Sequence, residues 1–213
     1  MTRALTSALF LLSLALPAEQ VRVPVGEFSA GKLAGWESKR FDGQTQYQLV
    51  REDGRRVLRA VSQDAASGLF RKVDVDLNRT PYLHWSWKVR NTLGSLKEQT
   101  REGDDYPARV YVLVSGGLFF WRTHAINYVW SNNQPMGTTW PSAYTSNDKM
   151  VALESGNARL NEWVSERRNV KQDYRRLFGG EVDHIDAVAI MTDTDNSGKA
   201  AETYYGDIYF SSR

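Results

Sequence analysis

The order of apolar and polar positions predicts a chain built from strands. Short runs rich in Val, Tyr, Trp and Ile are separated by turn-forming clusters such as Asn196-Ser197-Gly198. Ten such runs at close spacing predict an all-β fold, an antiparallel jelly roll or β-sandwich in a single domain. The predicted strands are Tyr47–Val50, Arg56–Ser62, Leu69–Val73, Tyr82–Arg90, Arg109–Ser115, Ile126–Ser131, Met150–Glu154, Trp163–Arg168, Ile185–Thr192 and Tyr204–Phe210.

One segment has the period of a helix. Between residues 170 and 178, apolar side chains recur at positions i, i+4, i+7 and i+8. Asn169 stands where it can cap the first turn, with Gln172 three residues later, and Gly179-Gly180 ends the pattern. We therefore expect one short helix over 170–178.

Alternation within the longest predicted strand, Tyr82–Arg90, assigns its two faces. Trp85 and Trp87 fall on one side together with Leu83 and Val89, and an apolar face of this kind belongs in a core. We expect both tryptophans to be buried.

The opposite faces of two strands carry polar side chains. Lys88 points away from the apolar face of Tyr82–Arg90, and Arg109 and Tyr111 point away from the valines of the next long strand. If the two strands are neighbours in one sheet, these side chains line a concave ligand-binding face. A solvated outer face explains the same pattern, because antiparallel sheets commonly expose one side.

The amino-acid composition excludes several classes of function. Of 213 residues, 41% are hydrophobic and 24% charged, and the net charge is +2 without a cluster of five or more basic residues. A chain of this kind is globular and lacks the charge pattern of a nucleic-acid binder. The absence of cysteine excludes disulfides, thiolate zinc sites and cysteine nucleophiles.

The N-terminus predicts export. Arg3 precedes an apolar run, and a small-residue cleavage site follows at Ala15 or Ala18, so residues 1–18 are typical of a signal peptide. The run is shorter than the roughly 20 residues that span a bilayer, so no stable membrane span is expected. We predict a mature domain of residues 19–213, periplasmic or secreted.

A polar and aromatic segment follows. Residues 116–147 carry a single formal charge, on Arg122, and seven aromatic side chains among amides and hydroxyls. Flat rings beside neutral hydrogen-bonding groups suit a sugar. For Phe119, Phe120 and one of Tyr128 and Trp130 we expect ordinary core packing instead. Trp140, in a turn-like context, is the candidate for an exposed platform.

Two carboxyl groups precede the predicted strand at Arg109. Asp105 and Arg109 are expected to form a bidentate pair that fixes the loop. Alternatively, Asp104 and Asp105 act with Arg109 and Tyr111 as an acid/base site, or bind sugar hydroxyls or a cation.

A second acidic loop has half of a calcium signature. Asp193, Asp195 and Ser197 occupy alternate positions before Gly198, as in the first half of an EF-hand loop, but the closing Glu is missing. Either Ca²⁺ or a basic side chain is expected to separate the two carboxylates. The basic candidates are Lys199, Arg167 and Arg168.

Other catalytic signatures are missing from the sequence. Its three histidines show no H-x-x-x-H spacing, no serine lies in G-x-S-x-G, and no glycine-rich phosphate loop occurs. Catalytic triads and zinc sites therefore have no support.

Several blocks together resemble one known family. They are Leu83-His84-Trp85-Ser86-Trp87-Lys88-Val89, Gly103-Asp104-Asp105-Tyr106-Pro107-Ala108-Arg109-Val110-Tyr111-Val112, Asn127-Tyr128-Val129-Trp130, Glu166-Arg167-Arg168-Asn169-Val170, Asp173-Tyr174-Arg175, Phe178-Gly179, Ala189-Ile190-Met191-Thr192-Asp193-Thr194-Asp195-Asn196 and Tyr204-Tyr205-Gly206-Asp207-Ile208-Tyr209-Phe210. The chain is similar, from about residue 28 to 210, to an exported bacterial family known only as a domain of unknown function. The resemblance implies a signal peptide and one domain, but no activity. More loosely, the last block is similar to the closing strand of galactose-binding-like jelly rolls.

Three functional hypotheses follow. The first is an exported carbohydrate-binding-like protein without catalysis, acting on an envelope or extracellular glycan through Lys88, Arg109, Tyr111 and Trp140. The second is a polysaccharide-processing enzyme that uses Asp104 or Asp105. The third is a structural partner in the envelope, which requires an exposed apolar patch. Beyond Ca²⁺ at the second acidic loop, no cofactor is expected.

Overall fold

The structure is a computed structural model that describes residues 20–115 and 123–213. The predicted signal peptide therefore lies outside the described residues. Phe119, Phe120 and Arg122 also lie outside them. The described chain forms fourteen strands, a 3₁₀ turn at Arg101–Gly103 and one α-helix. The strands are β1 (Arg22–Gly26), β2 (Glu37–Asp42), β3 (Gln46–Glu52), β4 (Arg55–Gln63), β5 (Ala66–Asp76), β6 (Tyr82–Val89), β7 (Ala108–Val114), β8 (His124–Ser131), β9 (Thr139–Pro141), β10 (Asp148–Ser155), β11 (Val164–Asn169), β12 (His184–Asp193), β13 (Ala200–Tyr205) and β14 (Ile208–Ser211), and the helix is α1 (Val170–Phe178).

These strands form two seven-stranded sheets. The first sheet has the order β1-β14-β6-β13-β4-β3, with β11 on the other edge of β6. The second sheet has the order β2-β5-β12-β7-β8-β10-β9. Pairing is antiparallel in both sheets except between β8 and β10, which run parallel. The all-β, jelly-roll prediction is confirmed.

The core lies between the two sheets and is rich in aromatic side chains. Trp85 and Trp87 of β6 contact Tyr128 and Trp130 of β8, with ring centroids 5.4 Å and 6.1 Å apart respectively. All four side chains are buried. The alternation in β6 therefore predicted its inward face correctly, and both aromatic residues of β8 belong to the core rather than one of them.

The predicted strand Tyr204–Phe210 is two strands. A break at Gly206-Asp207 separates β13 from β14, which pair in succession along one edge of β6. A Cβ at Gly206 would lie 2.2 Å from Ser86 Oγ, so any larger residue at this break would require the Ser86 side chain to rotate away. The backbone N–H of Ser29 donates to Asp207 (2.8 Å), as does its hydroxyl, so Asp207 ties the N-terminal loop to this break.

Helix α1 begins and ends as predicted. The Asn169 side chain accepts a hydrogen bond from the Gln172 N–H (3.0 Å), and Gly179 ends the helix with φ = 73°. Asp173 anchors it, because its carboxylate accepts from Tyr128 of the core (2.9 Å) and from Arg168 (2.6 Å). Among the described residues, no helix is long and apolar enough to cross a membrane.

Replacing Trp87 by Ala is expected to lower the free energy of unfolding by about 3–5 kcal/mol, because a fully buried ring leaves a cavity. Chemical denaturation measures the loss. The control is Trp163→Ala, at a partly exposed ring stacked under Arg55, for which about 1 kcal/mol is expected. A loss at Trp87 no larger than at Trp163 would contradict this description of the core.

Candidate functional site

The sandwich separates the residues that sequence reasoning placed on one ligand-binding face. Lys88 lies on β6 in the first sheet, whereas Arg109 and Tyr111 lie on β7 in the second. The expectation that the two strands are neighbours is wrong, so their outward faces lie on opposite sides of the molecule. The Lys88 ammonium is buried against Glu52 (2.6 Å) and Asp53 (2.8 Å).

Trp140 is not an exposed platform. It lies on β9, which pairs with β10, and its side chain is only 5% exposed. With Tyr106, Val129 and Met150 it forms a small second hydrophobic cluster, which covers the outer face of β8 and β10. The prediction failed because the segment around Trp140 forms an edge strand beside β10, and the ring packs against neighbouring side chains on the outer face of the sheet.

Beside this cluster, the part of the same face that no described residue covers is a cleft of about 930 Å³. It crosses β2, β5, β12 and β7, and its far wall is the segment between β9 and β10. The register sets Ala189 between Phe70 and Tyr111, and Met191 between Gly68 and Arg109. Small side chains in the middle of a sheet, with larger ones beside them, make this surface concave. The small residues of the floor are Ala66, Gly68, Ala187 and Ala189.

Aromatic side chains stand at the margins of the cleft. Phe41 of β2 is 63% exposed, and Tyr144 of the far wall is 53% exposed. A cation lies near each ring, Lys39 Nζ at 5.3 Å from the centroid of Phe41 and the Arg101 guanidinium at 5.2 Å from that of Tyr144. Both rings are therefore available to a molecule entering the cleft.

Arg109 lies at one end of the cleft and is only 3% exposed. Its guanidinium donates to Asp193 Oδ2 (2.5 Å), to the backbone carbonyl of Asp104, and to the hydroxyl of Tyr111 (3.0 Å). Asp104 Oδ2 lies 3.4 Å from the same guanidinium. Two carboxylates from separate loops thus meet at one buried cation, which compensates for their loss of hydration.

The predicted pair of Asp105 with Arg109 is wrong. Asp105 is fully buried and accepts hydrogen bonds from the backbone N–H groups of Asn196 (3.1 Å) and Ser197 (2.6 Å). The neighbouring Asp104 is the residue that meets Arg109. Asp105 therefore holds the second acidic loop against the first, and it does not line the cleft.

A basic side chain does contact Asp193, but it is Arg109 rather than one of the three predicted. Arg168 pairs with Asp173, Arg167 stacks over Tyr82, and Lys199 donates to the Leu93 carbonyl (2.5 Å). The sequence placed Arg109 far from this loop, and only the pairing of β7 with β12 brings the two together.

Three carboxyl groups are close enough to share a cation. One oxygen from each of Asp105, Asp193 and Asp195 lies within 4.8 Å of the others. Protein N–H donors already engage both oxygens of Asp105, and Asp193 accepts from Arg109 and, at 3.4 Å, from the Tyr106 N–H. These donors account for the closeness of the carboxylates in the described structure, and Ca²⁺ binding by Asp193, Asp195 and Ser197 stays a prediction.

The acidic end of the cleft comprises Asp104, Asp148, Asp193 and Asp195 around Arg109. Burial raises the pKa of each of these four carboxyl groups, and the positive charge of Arg109 opposes that rise. The pKa of Asp148 rises to about 7, with the negative charge of Asp104 contributing. Oδ1 of Asp104 and Oδ1 of Asp148 are buried and have no hydrogen-bond partner among the described residues. No signal in the sequence indicated Asp148, because it is the first residue of β10 and belongs to no motif.

The Asp148 carboxyl group is expected to make stability depend on pH. Its pKa is raised to about 7 in the folded protein, against about 3.9 in an unfolded chain. The folded state therefore holds this proton more tightly, and the associated stability is lost as the pH rises through about 7. An unfolded carboxyl group is already ionised above about pH 4, so the loss of stability begins there. Asp148→Asn should therefore raise the free energy of unfolding by about 1–3 kcal/mol more near pH 8 than near pH 5.

Thermal unfolding at the two pH values measures this difference. Asp42→Asn, at an exposed position of β2, is the control and should have no effect at either pH. Destabilisation by Asp148→Asn near pH 8 would contradict the assignment of a disfavoured buried charge.

The fold is shared with known β-sandwich proteins. The cellulose-induced protein Cip1 has a TM-score of 0.50 and 10% identity, covering 91% of this chain and 97% of that chain. The family 30 carbohydrate-binding module of a Clostridium thermocellum cellulosomal cellulase has a TM-score of 0.45 and 10% identity over 83% of this chain and 90% of that one. A family 29 carbohydrate-binding module from Piromyces equi has a TM-score of 0.43 and 10% identity over 92% and 93%. At such identity, the likeness to Cip1 extends to the fold alone.

The sequence itself matches one family. No curated protein sequence matches this chain. The model of a family described as "Protein of unknown function (DUF3047)" matches residues 34–209, a range that includes both acidic loops and every strand of the cleft. The resemblance stated from the sequence motifs is thereby confirmed, and the chain belongs to the DUF3047 family.

Proposed function

We propose that this protein binds a glycan in the cleft of the second sheet. The cleft itself is the observation that carries the proposal: about 930 Å³ of open space over a floor of small apolar residues, with aromatic rings at its margins. The CH faces of sugar rings pack against apolar and aromatic surfaces. Tyr111 and the carboxyl groups at the acidic end, which Arg109 holds in place, supply donors and acceptors for hydroxyl groups.

The apolar character of the floor distinguishes this face from an ordinary solvated one. Outward positions on the open side of an antiparallel sheet are usually polar. On β12, however, the stretch from Ala187 to Met191 presents Ala187, Ala189 and Met191 to the cleft, and Asp186 is the polar residue that lines it just before them. A ligand that covers these side chains removes apolar surface from water, which favours binding.

Of the four ligand-binding residues expected from the sequence, Tyr111 keeps this role in the proposal, and Arg109 positions the carboxyl groups beside it. Lys88 and Trp140 lie outside the cleft. We infer from residues 1–18 that the protein is exported, so the ligand is a glycan of the envelope or the extracellular space. Nucleic acid is not a proposed partner, because the chain lacks a basic cluster.

A second candidate function is acid/base catalysis on the bound glycan. It is favoured by Asp148, a carboxyl group at the cleft with a pKa of about 7, beside the charge of Asp104. Groups that titrate near neutrality transfer protons efficiently at physiological pH. In this hypothesis Asp148 and Asp104 replace the pair Asp104 and Asp105, because Asp105 is held by backbone donors.

Filling the cleft is expected to abolish glycan binding. Ala189→Leu adds three carbon atoms to the middle of the open floor, where the new side chain does not disturb the core. A glycan array with the purified protein selects a ligand, and calorimetry should then show affinity reduced by about tenfold or more for this variant. Ala200→Leu, at an exposed alanine of the first sheet, is the matched control and should bind normally.

Two results would contradict the proposal. One is the absence of binding to any glycan by folded protein, and the other is equal affinity of Ala189→Leu and the unaltered chain. Incubation of the ligand with the protein, followed by detection of new chain ends, separates the second candidate function from simple binding. Catalysis requires that Asp148→Asn removes the new ends.

A further inference from the structure

We infer that the acidic end of the cleft recognises an ammonium group, so that the bound glycan carries an unsubstituted amino sugar. The inference rests on the proposed function and names the substrate class of that site. Four carboxyl groups line this end, and Arg109 is the one cation among the residues that define it. Whenever more than one of these carboxyl groups is ionised, the negative charge exceeds the single positive charge of Arg109, and a neutral sugar does not balance it.

The guanidinium of Arg109 does not supply the missing positive charge. Its two terminal nitrogens are engaged by Asp193, Asp104 and Tyr111. The other cations that line the cleft, Lys39 and Lys72, lie on β2 and β5, on the far side of β12. Arg101, at the margin, lies over the ring of Tyr144. Among the residues that the structure describes, no further cation lies at the acidic end, so a ligand that brings one suits this site.

Unpartnered acceptors independently indicate a missing donor. Asp104 is 6% exposed and lines the cleft, yet its Oδ1 atom accepts no hydrogen bond from the described residues. Oδ1 of Asp148, on the opposite wall, is also buried and accepts no hydrogen bond from the described residues. Buried acceptors without a donor are rare in folded proteins, because their hydration is lost without replacement. An ammonium group carries three donors and a positive charge, and so meets both requirements.

A metal ion fits the site less well. A hard cation such as Ca²⁺ requires six to eight oxygen ligands. Asp105 and Asp193, the two fully engaged carboxylates of the closest trio, direct their oxygens to N–H donors. The unpartnered oxygens belong instead to Asp104 and Asp148, at the cleft. This arrangement favours a donor that enters through the cleft.

Calorimetry with two matched oligosaccharides tests the inference. Chitotetraose and its fully deacetylated form share one sugar backbone. The first carries acetamido groups where the second carries ammonium groups. We expect the deacetylated form to bind at least about tenfold more tightly to the unaltered protein at low ionic strength, and less so in high salt. Asp148→Asn and Asp104→Asn should each reduce this ratio severalfold, and Asp42→Asn should leave it unchanged. Two variants are used because either alone risks misfolding, which circular dichroism detects.

The outcomes separate the two proposals. Equal affinity for both oligosaccharides, or tighter binding of the acetylated one, overturns the ammonium site while the glycan proposal stands. A preference for the deacetylated form that neither variant changes also overturns it, because the charge then acts elsewhere. A third result also overturns the inference. If Ca²⁺ alone raises the melting temperature, and Asp104→Asn removes that effect, then the unpartnered oxygens of Asp104 and Asp148 bind a metal ion. If the folded protein binds neither these two oligosaccharides nor any other glycan, the proposed function itself is wrong.

Discussion

The buried guanidinium of Arg109 is the interaction on which the open face of the second sheet depends. It joins Asp104, from the loop before β7, to Asp193, at the end of β12. A charge with so little exposure is tolerated only when its donors are paired. Asp105 adds a second link, since it accepts two N–H groups of the loop that follows Asp193. Together these contacts fix two acidic loops side by side at one end of the cleft.

The cleft exists because the outer face of the second sheet is covered unevenly. On the outer face of β8 and β10, the ring of Trp140, which lies on β9, forms a small hydrophobic cluster. Over β7, β12, β5 and β2 nothing comparable lies among the described residues, and the floor there consists largely of Ala and Gly. This uneven covering places an apolar surface beside a group of carboxylates. The proposed glycan binding, acid/base chemistry and recognition of an ammonium group all depend on that arrangement.

Local patterns in the sequence predicted the features that depend on local geometry. The alternation of β6 identified Trp85 and Trp87 as core residues, and the cap at Asn169 gave both the start and the length of α1. The same alternation identified the outward direction of Arg109 and Tyr111. It did not reveal the small outward residues of β12 as a cleft, although their apolar character on an open face is a signal that the sequence carries.

What could not be predicted depends on contacts between distant parts of the chain. Lys88 and Arg109 lie in different sheets because β7 pairs with β12 and β8 rather than with β6. Neither the partner of Arg109 nor the burial of Trp140 follows from spacing, since both depend on which loop folds over which strand. Asp104 and Asp105 are adjacent in the sequence, and only the folded loop decides which of them meets the guanidinium.

A double-mutant cycle measures whether Arg109 and Asp193 hold the acidic end of the cleft together. Unfolding free energies are measured for the unaltered protein, Arg109→Met, Asp193→Asn and the double variant. Arg109→Met alone should cost about 3–5 kcal/mol, because it leaves buried carboxylates without a cation. A coupling energy of about 2 kcal/mol or more between the two sites is predicted. Additive effects, with a coupling below about 0.5 kcal/mol, would contradict the account.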